Sequence, residues 1–259
     1  MTNMAGDFVW YELLTSDADA AQNYYGSILE WSFADSGQVG MDYRIIEAPE
    51  HAIGGVLKIT SEMAAHGTRP SWLGYIIVDD VDARIAAIAA AGGQVLMPAM
   101  NIPDVGRIAM LCDPQGAPFY IMKNAGEGES YAFAKDQPRI GHCAWNELVT
   151  NDQTAAWEFY GTQFGWVKSD AMDMGPMGTY DFIGHDGTLG AIMKGTPEMG
   201  PPHWNQYFRV ADIDVAQSAV EADGGTITNG PMEIPGGEFA LNAMDPQGAA
   251  FGLVGPRTN

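Results

Sequence analysis

Cysteine and basic side chains are scarce in this chain. Cys112 and Cys143 are its only cysteines in 259 residues, and they sit at unmatched places in a sequence that otherwise repeats. Two unmatched thiols form neither a disulfide framework nor a zinc knuckle. They read instead as reduced core thiols of a cytoplasmic protein. Lysine and arginine total 12 against 33 acidic residues, a formal charge of -21. Such a surface repels phosphate backbones, so nucleic acid is not an expected partner. Charged residues make up only 17% and are dispersed, as on a solvated acidic surface. No apolar run approaches the ~18 residues of a membrane span. Met1 to Asp7 has neither a basic nor an apolar stretch, so no secretory signal is expected there. A Gly-x-Ser-x-Gly elbow, a phosphate-cradling glycine loop and a paired-cysteine motif are all missing.

What is present is a repetition. Trp10-Tyr11-Glu12-Leu13-Leu14-Thr15-Ser16-Asp17 returns as Trp145-Asn146-Glu147-Leu148-Val149-Thr150-Asn151-Asp152, and Asp113-Pro114-Gln115-Gly116 returns as Asp245-Pro246-Gln247-Gly248. A repeat of this length governs the fold. It predicts two domains, 7–123 and 139–255, joined by a polar linker over 124–138. Each copy divides again into two modules that open with a strand and a capped helix. Val9 to Thr15 reads as strand, Ser16 and Asp17 as caps, and Ala21, Tyr24, Tyr25 and Ile28 as one apolar stripe. Trp72 to Val78, Asp80 and Val81, Ile85, Ile88 and Ala89 follow the same plan. In the second copy Thr150 or Asn151 is the expected cap, then Asp212 in the last module. Asp-Pro-Gln-Gly is a turn, with Asp first, Pro fixing φ and Gly last. Gly54-Gly55 and Gly236-Gly237 read as punctuation between strands.

Val78-Asp79-Asp80-Val81-Asp82-Ala83, the Ala91-Gly92-Gly93 that follows, Val105-Gly106-Arg107 leading to Asp113-Pro114-Gln115-Gly116, and the helices carrying Tyr24-Tyr25-Gly26 and Phe159-Tyr160-Gly161, each ending near Trp31 or Trp166, together resemble the vicinal oxygen chelate superfamily. That group holds glyoxalase I, bleomycin-resistance proteins and extradiol dioxygenases. The resemblance implies an α+β fold of two tandem glyoxalase-like domains, each a pair of βαβββ modules making an open half-barrel sheet with helices outside. It also implies a cleft on the concave sheet face, and a divalent metal held there by His and Glu. The places of those ligands fall here on Trp10, Leu73 and Tyr120 in the first copy and on Trp145, Asn205 and Gly252 in the second. None is a good metal ligand, so no metal and no other cofactor is expected. His203 stands two residues before Asn205 and with Glu147 offers a partial alternative. His51, His66 and His185 fall in expected loops, and His142 on the strand face opposite Trp145.

Alternation puts Trp10, Glu12 and Leu14 on one strand face, and Trp145, Glu147 and Val149 on its counterpart. A carboxylate between apolar neighbours is costly unless it is paired or used. Glu12 and Glu147 are therefore candidate catalytic acids or bases. Alternatively they accept structural hydrogen bonds or pair with Arg44, Arg107 or Arg209. Trp10, Trp145, Tyr43, Tyr180 and Tyr120 are candidate ligand-binding residues; Trp72 and Trp204 read more readily as core. Three functions compete: a metal-independent binder of a small, apolar or aromatic molecule, a lyase, isomerase or dioxygenase with an altered metal ligand set, and a cofactor-free acid–base enzyme. The first is the expectation, as a monomer with an internal pseudo-two-fold or as a homodimer. Pocket shape is expected to depend on the loops Ala34–Met41 and Asp170–Gly178.

Overall fold

A computed structural model describes residues 3–38, 40–126, 128–135 and 137–258. Val39 in the Ala34–Met41 loop, Glu127 and Asp136 in the linker, and Met1 and Thr2 of the N-terminal stretch lie outside the described residues. In the first copy the strands are β1 (Phe8–Thr15), β2 (Ser32–Asp35), β3 (Tyr43–Glu47), β4 (Ala52–Lys58), β5 (Ser71–Ile77), β6 (Gln94–Ile102), β7 (Gly106–Cys112) and β8 (Pro118–Asn124). Its helices are α1 (Ala18–Leu29), the short α2 (Ser61–Ala65) and α3 (Val81–Ala90). The second copy has β9 (Cys143–Thr150), α4 (Gln153–Phe164), β10 (Val167–Asp173), β11 (Thr179–Gly184), β12 (Thr188–Lys194), β13 (His203–Arg209), α5 (Ile213–Ala222), β14 (Thr226–Glu233), β15 (Phe239–Met244) and β16 (Ala250–Gly255). Each copy forms one open eight-stranded sheet, in the orders β2-β3-β4-β1-β5-β8-β7-β6 and β10-β11-β12-β9-β13-β16-β15-β14. The strands beside each sheet's centre are parallel (β1 with β4, β5 with β8, and their counterparts), and the outer ones antiparallel. No helix among the described residues is long and apolar enough to cross a membrane.

Packing divides the chain along a different line from the repeat. One compact unit gathers residues 1–9, 74–130 and 145–205, and the other 10–73, 131–144 and 206–259. Each unit thus draws one module from each copy.

The long helices start on aspartates. Asp17, Asp80, Asp152 and Asp212 each accept a backbone N–H of the first turn. The cap of α4 is therefore Asp152 rather than Thr150 or Asn151, because its side chain reaches the N–H of Ala155 while Thr150 closes β9. Helix α4 ends on Gly165 in the left-handed region, whereas α1 ends there on Glu30, a strained choice for a side chain.

Three sequence expectations need correction. Gly54-Gly55 is not punctuation but the middle of β4. A Cβ on Gly54 would lie 2.1 Å from the Tyr11 carbonyl oxygen, so glycine permits a close approach of β4 to β1. Most of Asp170–Gly178 is not loop, since β10 runs through Asp173, and Ala34 and Asp35 belong to β2. The linker is polar only in part: Ala132 and Phe133 are buried, and Phe133 bridges to Cys143.

Two hydrogen-bonded chains recur inside the cores. In the first unit the Trp204 indole donates to the Tyr160 hydroxyl at 3.1 Å, which donates to Asp113 Oδ2 at 3.1 Å. In the second, Trp72 donates to Tyr25 at 2.9 Å and Tyr25 to Asp245 Oδ2 at 3.0 Å. The other oxygen of each aspartate accepts the two backbone N–H groups that close its Asp-Pro-Gln-Gly turn. The motif read as a turn is also the anchor of a buried tyrosine. Burial raises the pKa of both aspartates, and also lifts both tyrosines well above their usual range, so the phenols remain donors.

Candidate functional site

In the second unit, strand pairing sets Leu14, Leu57 and Tyr43 in one row and Glu12, Gly55 and Ile45 in the next but one, on the same face. Tyr43 reaches diagonally across Gly55. A Cβ at Gly55 would stand 2.1 Å from the Tyr43 hydroxyl oxygen, so the ring fits only because that side chain is missing. Trp10 Nε1 donates to the Tyr43 oxygen at 2.9 Å, and the Tyr43 hydroxyl bonds the Glu12 carboxyl. Glu12 is 3% exposed, while Trp10 and Tyr43 keep exposed edges. Burial of its hydroxyl end, then the neighbouring Glu12 charge, raises the Tyr43 pKa well above its usual range. The phenol therefore holds its proton, and the carboxylate is the accepting end of the chain.

The first unit repeats the arrangement. Trp145 Nε1 donates to the Tyr180 oxygen at 2.8 Å, and Tyr180 donates to Glu147 Oε2 at 2.6 Å, a length typical of a hydroxyl on a carboxylate. Glu147 is 9% exposed. Here the rows are Val149, Met193 and Tyr180, then Glu147, Ala191 and Phe182. Ala191 stands where the first copy has Gly55, and Phe182 where it has Ile45.

The structure thus brings together Trp10, Glu12 and Tyr43, and separately Trp145, Glu147 and Tyr180. The expected arginine partners are engaged elsewhere: Arg44 with Asp19 and Asp42, Arg107 with Asp82, Arg209 with Glu238. Tyrosines stand where arginines were expected, because the register places a phenol two rows from each glutamate and on the same sheet face, while Arg44, one row away, falls on the other face. Tyr120 stacks on Tyr75 at 4.2 Å and 6°. Trp72 and Trp204 lie in the buried chains described above. His142 is fully buried, with Nδ1 2.6 Å from the Tyr131 carbonyl, and His51 stacks on Tyr131. Sequence reading singled out Tyr43 and Tyr180 as aromatic walls but missed their bonds to the glutamates. The only available signal was that a Tyr recurs on the third strand of both copies.

The side chains at the metal-ligand places that the resemblance implies are poor donors. The Trp10 and Trp145 indoles donate to tyrosines and offer no lone pair. Leu73 is apolar and buried. The Tyr207 ring fills the space a side chain at Gly252 would need, 2.2 Å from its Cβ position. Tyr120 stacks on Tyr75 and Asn205 offers only an amide, so none of the six places carries the imidazole or carboxylate that ordinarily holds a divalent ion. Among the described residues no group of three or more His, Cys, Asp or Glu side chains is arranged to hold one. Two shallow depressions include none of the triad residues in their lining. One of about 590 Å³ runs from Phe33 to Arg44, and one of about 500 Å³ lies between Gly165 and Thr188. Both are open and of mixed lining, with Phe33 and Met41 beside charged groups in the first and Val167 and His185 in the second, so the aromatic sheet faces carry the chemistry better.

An open βαβββ sheet built twice defines a glyoxalase-type scaffold. The sequence model of the Glyoxalase/Bleomycin resistance protein/Dioxygenase superfamily matches residues 7–121 and 139–253, and the chain belongs to that superfamily. CFP32 of Mycobacterium tuberculosis, whose name carries the word glyoxylase, is 32% identical over 251 residues, covering 95% of this chain and 94% of its own. The anthracycline biosynthesis protein DnrV of Streptomyces peucetius is 30% identical over 274 residues, covering 98% and 95%. Among solved structures, the Mn(II)-bound glyoxalase from Novosphingobium aromaticivorans matches with a TM-score of 0.64 at 18% identity, covering 97% of this chain and 82% of that one. Homoprotocatechuate 2,3-dioxygenase from Arthrobacter globiformis matches at 0.66 and 17%, covering 97% and 80%. At those identities the likeness is one of fold.

Proposed function

We propose that this protein binds a small, neutral, aromatic or apolar molecule on the aromatic sheet faces, and does so without the divalent metal of its metal-dependent relatives. One observation carries the reading. The same Trp–Tyr–Glu hydrogen-bonded chain recurs in both copies, on the strand faces where the fold would otherwise present metal ligands. Indole and phenol rings with exposed edges supply apolar contact area, and the glutamate gives each face one fixed polar group. The naming of one relative for anthracycline biosynthesis supports a flat aromatic ligand. Trp10, Tyr43, Trp145 and Tyr180 are the contact residues in this reading. Glu12 and Glu147 orient the tyrosines, and the protein acts in the cytoplasm as a monomer or homodimer.

The second reading is a lyase, isomerase or dioxygenase with an altered ligand set, favoured by the name of the mycobacterial relative. One experiment separates the two. Purified protein is loaded with Mn(II), Fe(II), Zn(II) and Ni(II), dialysed and assayed for metal content, then screened by thermal shift against apolar, aromatic and polar small molecules. The proposal expects far less than one metal per chain and a stabilising shift from aromatic compounds. Stoichiometric metal, or no stabilisation by any aromatic compound, overturns it.

A further inference from the structure

We infer that the second copy carries a stacking platform for a planar, fused-ring aromatic ligand bearing hydroxyl rather than carboxylate groups. The inference rests on the binding reading above and narrows it. The ring planes of Trp145 on β9 and Tyr180 on β11 are parallel within 7°. The indole nitrogen lies in one plane and the phenol oxygen in the other, 2.8 Å apart. Parallel planes joined by that contact are separated by no more than its length, which is less than the ~3.5 Å at which carbon rings stack face to face. The rings therefore sit edge to edge, and the 6.5 Å between their centroids is a side-by-side distance. Together they make one aromatic surface wider than either ring, its two parallel faces stepped by no more than 2.8 Å.

Phe182 buttresses that surface. It stands nearly perpendicular to both rings, 5.7 Å and 81° from Trp145 and 5.9 Å and 82° from Tyr180. All three side chains are half-exposed. Aromatic faces attract one another best offset and parallel, so a fused polycycle covers both rings at once, whereas a globular alicycle touches one. Glu147 accepts the Tyr180 hydroxyl at the platform's edge, and the chain's charge of -21 adds to its repulsion of anions. Hydroxyl groups are thus tolerated there and carboxylates are not. In the first copy Ile45 replaces the buttress, which assigns the platform to the second.

The test uses the full chain, titrated calorimetrically with dihydroxyanthraquinone (planar), anthraquinone carboxylate (planar, anionic) and adamantanol (globular). The first should bind in preference to the other two. Trp145→Leu should weaken its binding by about tenfold or more, an effect of about 1.4 kcal/mol, and Trp10→Leu by much less. Phe182→Ile, which imports the first copy's residue, should cost several-fold without touching the hydrogen-bonded pair. It serves as the readout if Trp145→Leu fails to fold by circular dichroism. Equal binding of adamantanol, equal losses from Trp10→Leu and Trp145→Leu, or no loss from Phe182→Ile overturns the platform while leaving small-molecule binding intact. Tighter binding of the carboxylate overturns the stated ligand class. Failure of every aromatic probe overturns the binding reading itself.

Discussion

Gly55→Ala is the sharpest perturbation of the Trp10–Tyr43–Glu12 chain, because it adds one methyl and nothing else. Gly55 does not occupy the left-handed region, so the backbone accepts alanine, and the consequence falls on the Tyr43 ring. The new Cβ would meet Tyr43 Oη at 2.1 Å and Cζ at 2.2 Å, against the ~3.5 Å of an ordinary contact. Either the strands separate, an overpacking cost of about 1–3 kcal/mol, or Tyr43 swings outward and abandons Trp10 and Glu12. In the second case buried Glu12 loses a charge-assisted hydrogen bond, at about 1.5–3 kcal/mol. The two routes are alternatives rather than a sum, so the expected loss of stability is about 1–3 kcal/mol. Urea unfolding measures it, and near-UV circular dichroism reports the released ring. In a Tyr43→Ala background the clash partner is gone, and Gly55→Ala should then cost little. A Gly55→Ala cost that is unchanged by Tyr43→Ala would refute the argument. The second copy already carries alanine at the matching position, so Ala191→Gly should not loosen Tyr180 from Glu147.

Two further outcomes follow from the buried groups. Tyr160→Phe strips the hydroxyl shared by Trp204 and Asp113, leaving two buried polar groups without that bond. A loss of about 2–4 kcal/mol is expected in chemical denaturation, and less than about 1 kcal/mol would mean that the chain contributes little. Tyr25→Phe should act alike in the other unit, and the two losses should add, since the networks share no residue. For His142, burial is the main cause holding the imidazole pKa below its ordinary 6.5. The unfolded chain then binds the proton more readily, so the contribution of His142 to stability is full above pH 6.5 and is lost as pH falls through the lowered folded value. His142→Gln should flatten stability against pH in that window; an unchanged slope would show that other groups set it.

The sequence alone determined the architecture, because a repeat constrains everything that recurs in it. Two copies of one strand–helix plan, capping aspartates and matched Asp-Pro-Gln-Gly turns leave few folds open, and local chemistry writes such features directly into the chain. It also raised the expectation that indoles stand at the opening-strand metal-ligand places implied by the family. What the sequence could not carry was pairing across distance. Nothing in the string joins Tyr43 to Glu12 rather than Arg44 to Glu12; that choice depends on register between β3, β4 and β1. Likewise Asp245 reads as a turn residue, and only packing discloses that it holds Tyr25, because hydrogen bonds between distant segments leave no spacing signal. The platform of Trp145 and Tyr180 belongs to the same class: composition supplies two rings, and tertiary structure alone sets them side by side and parallel.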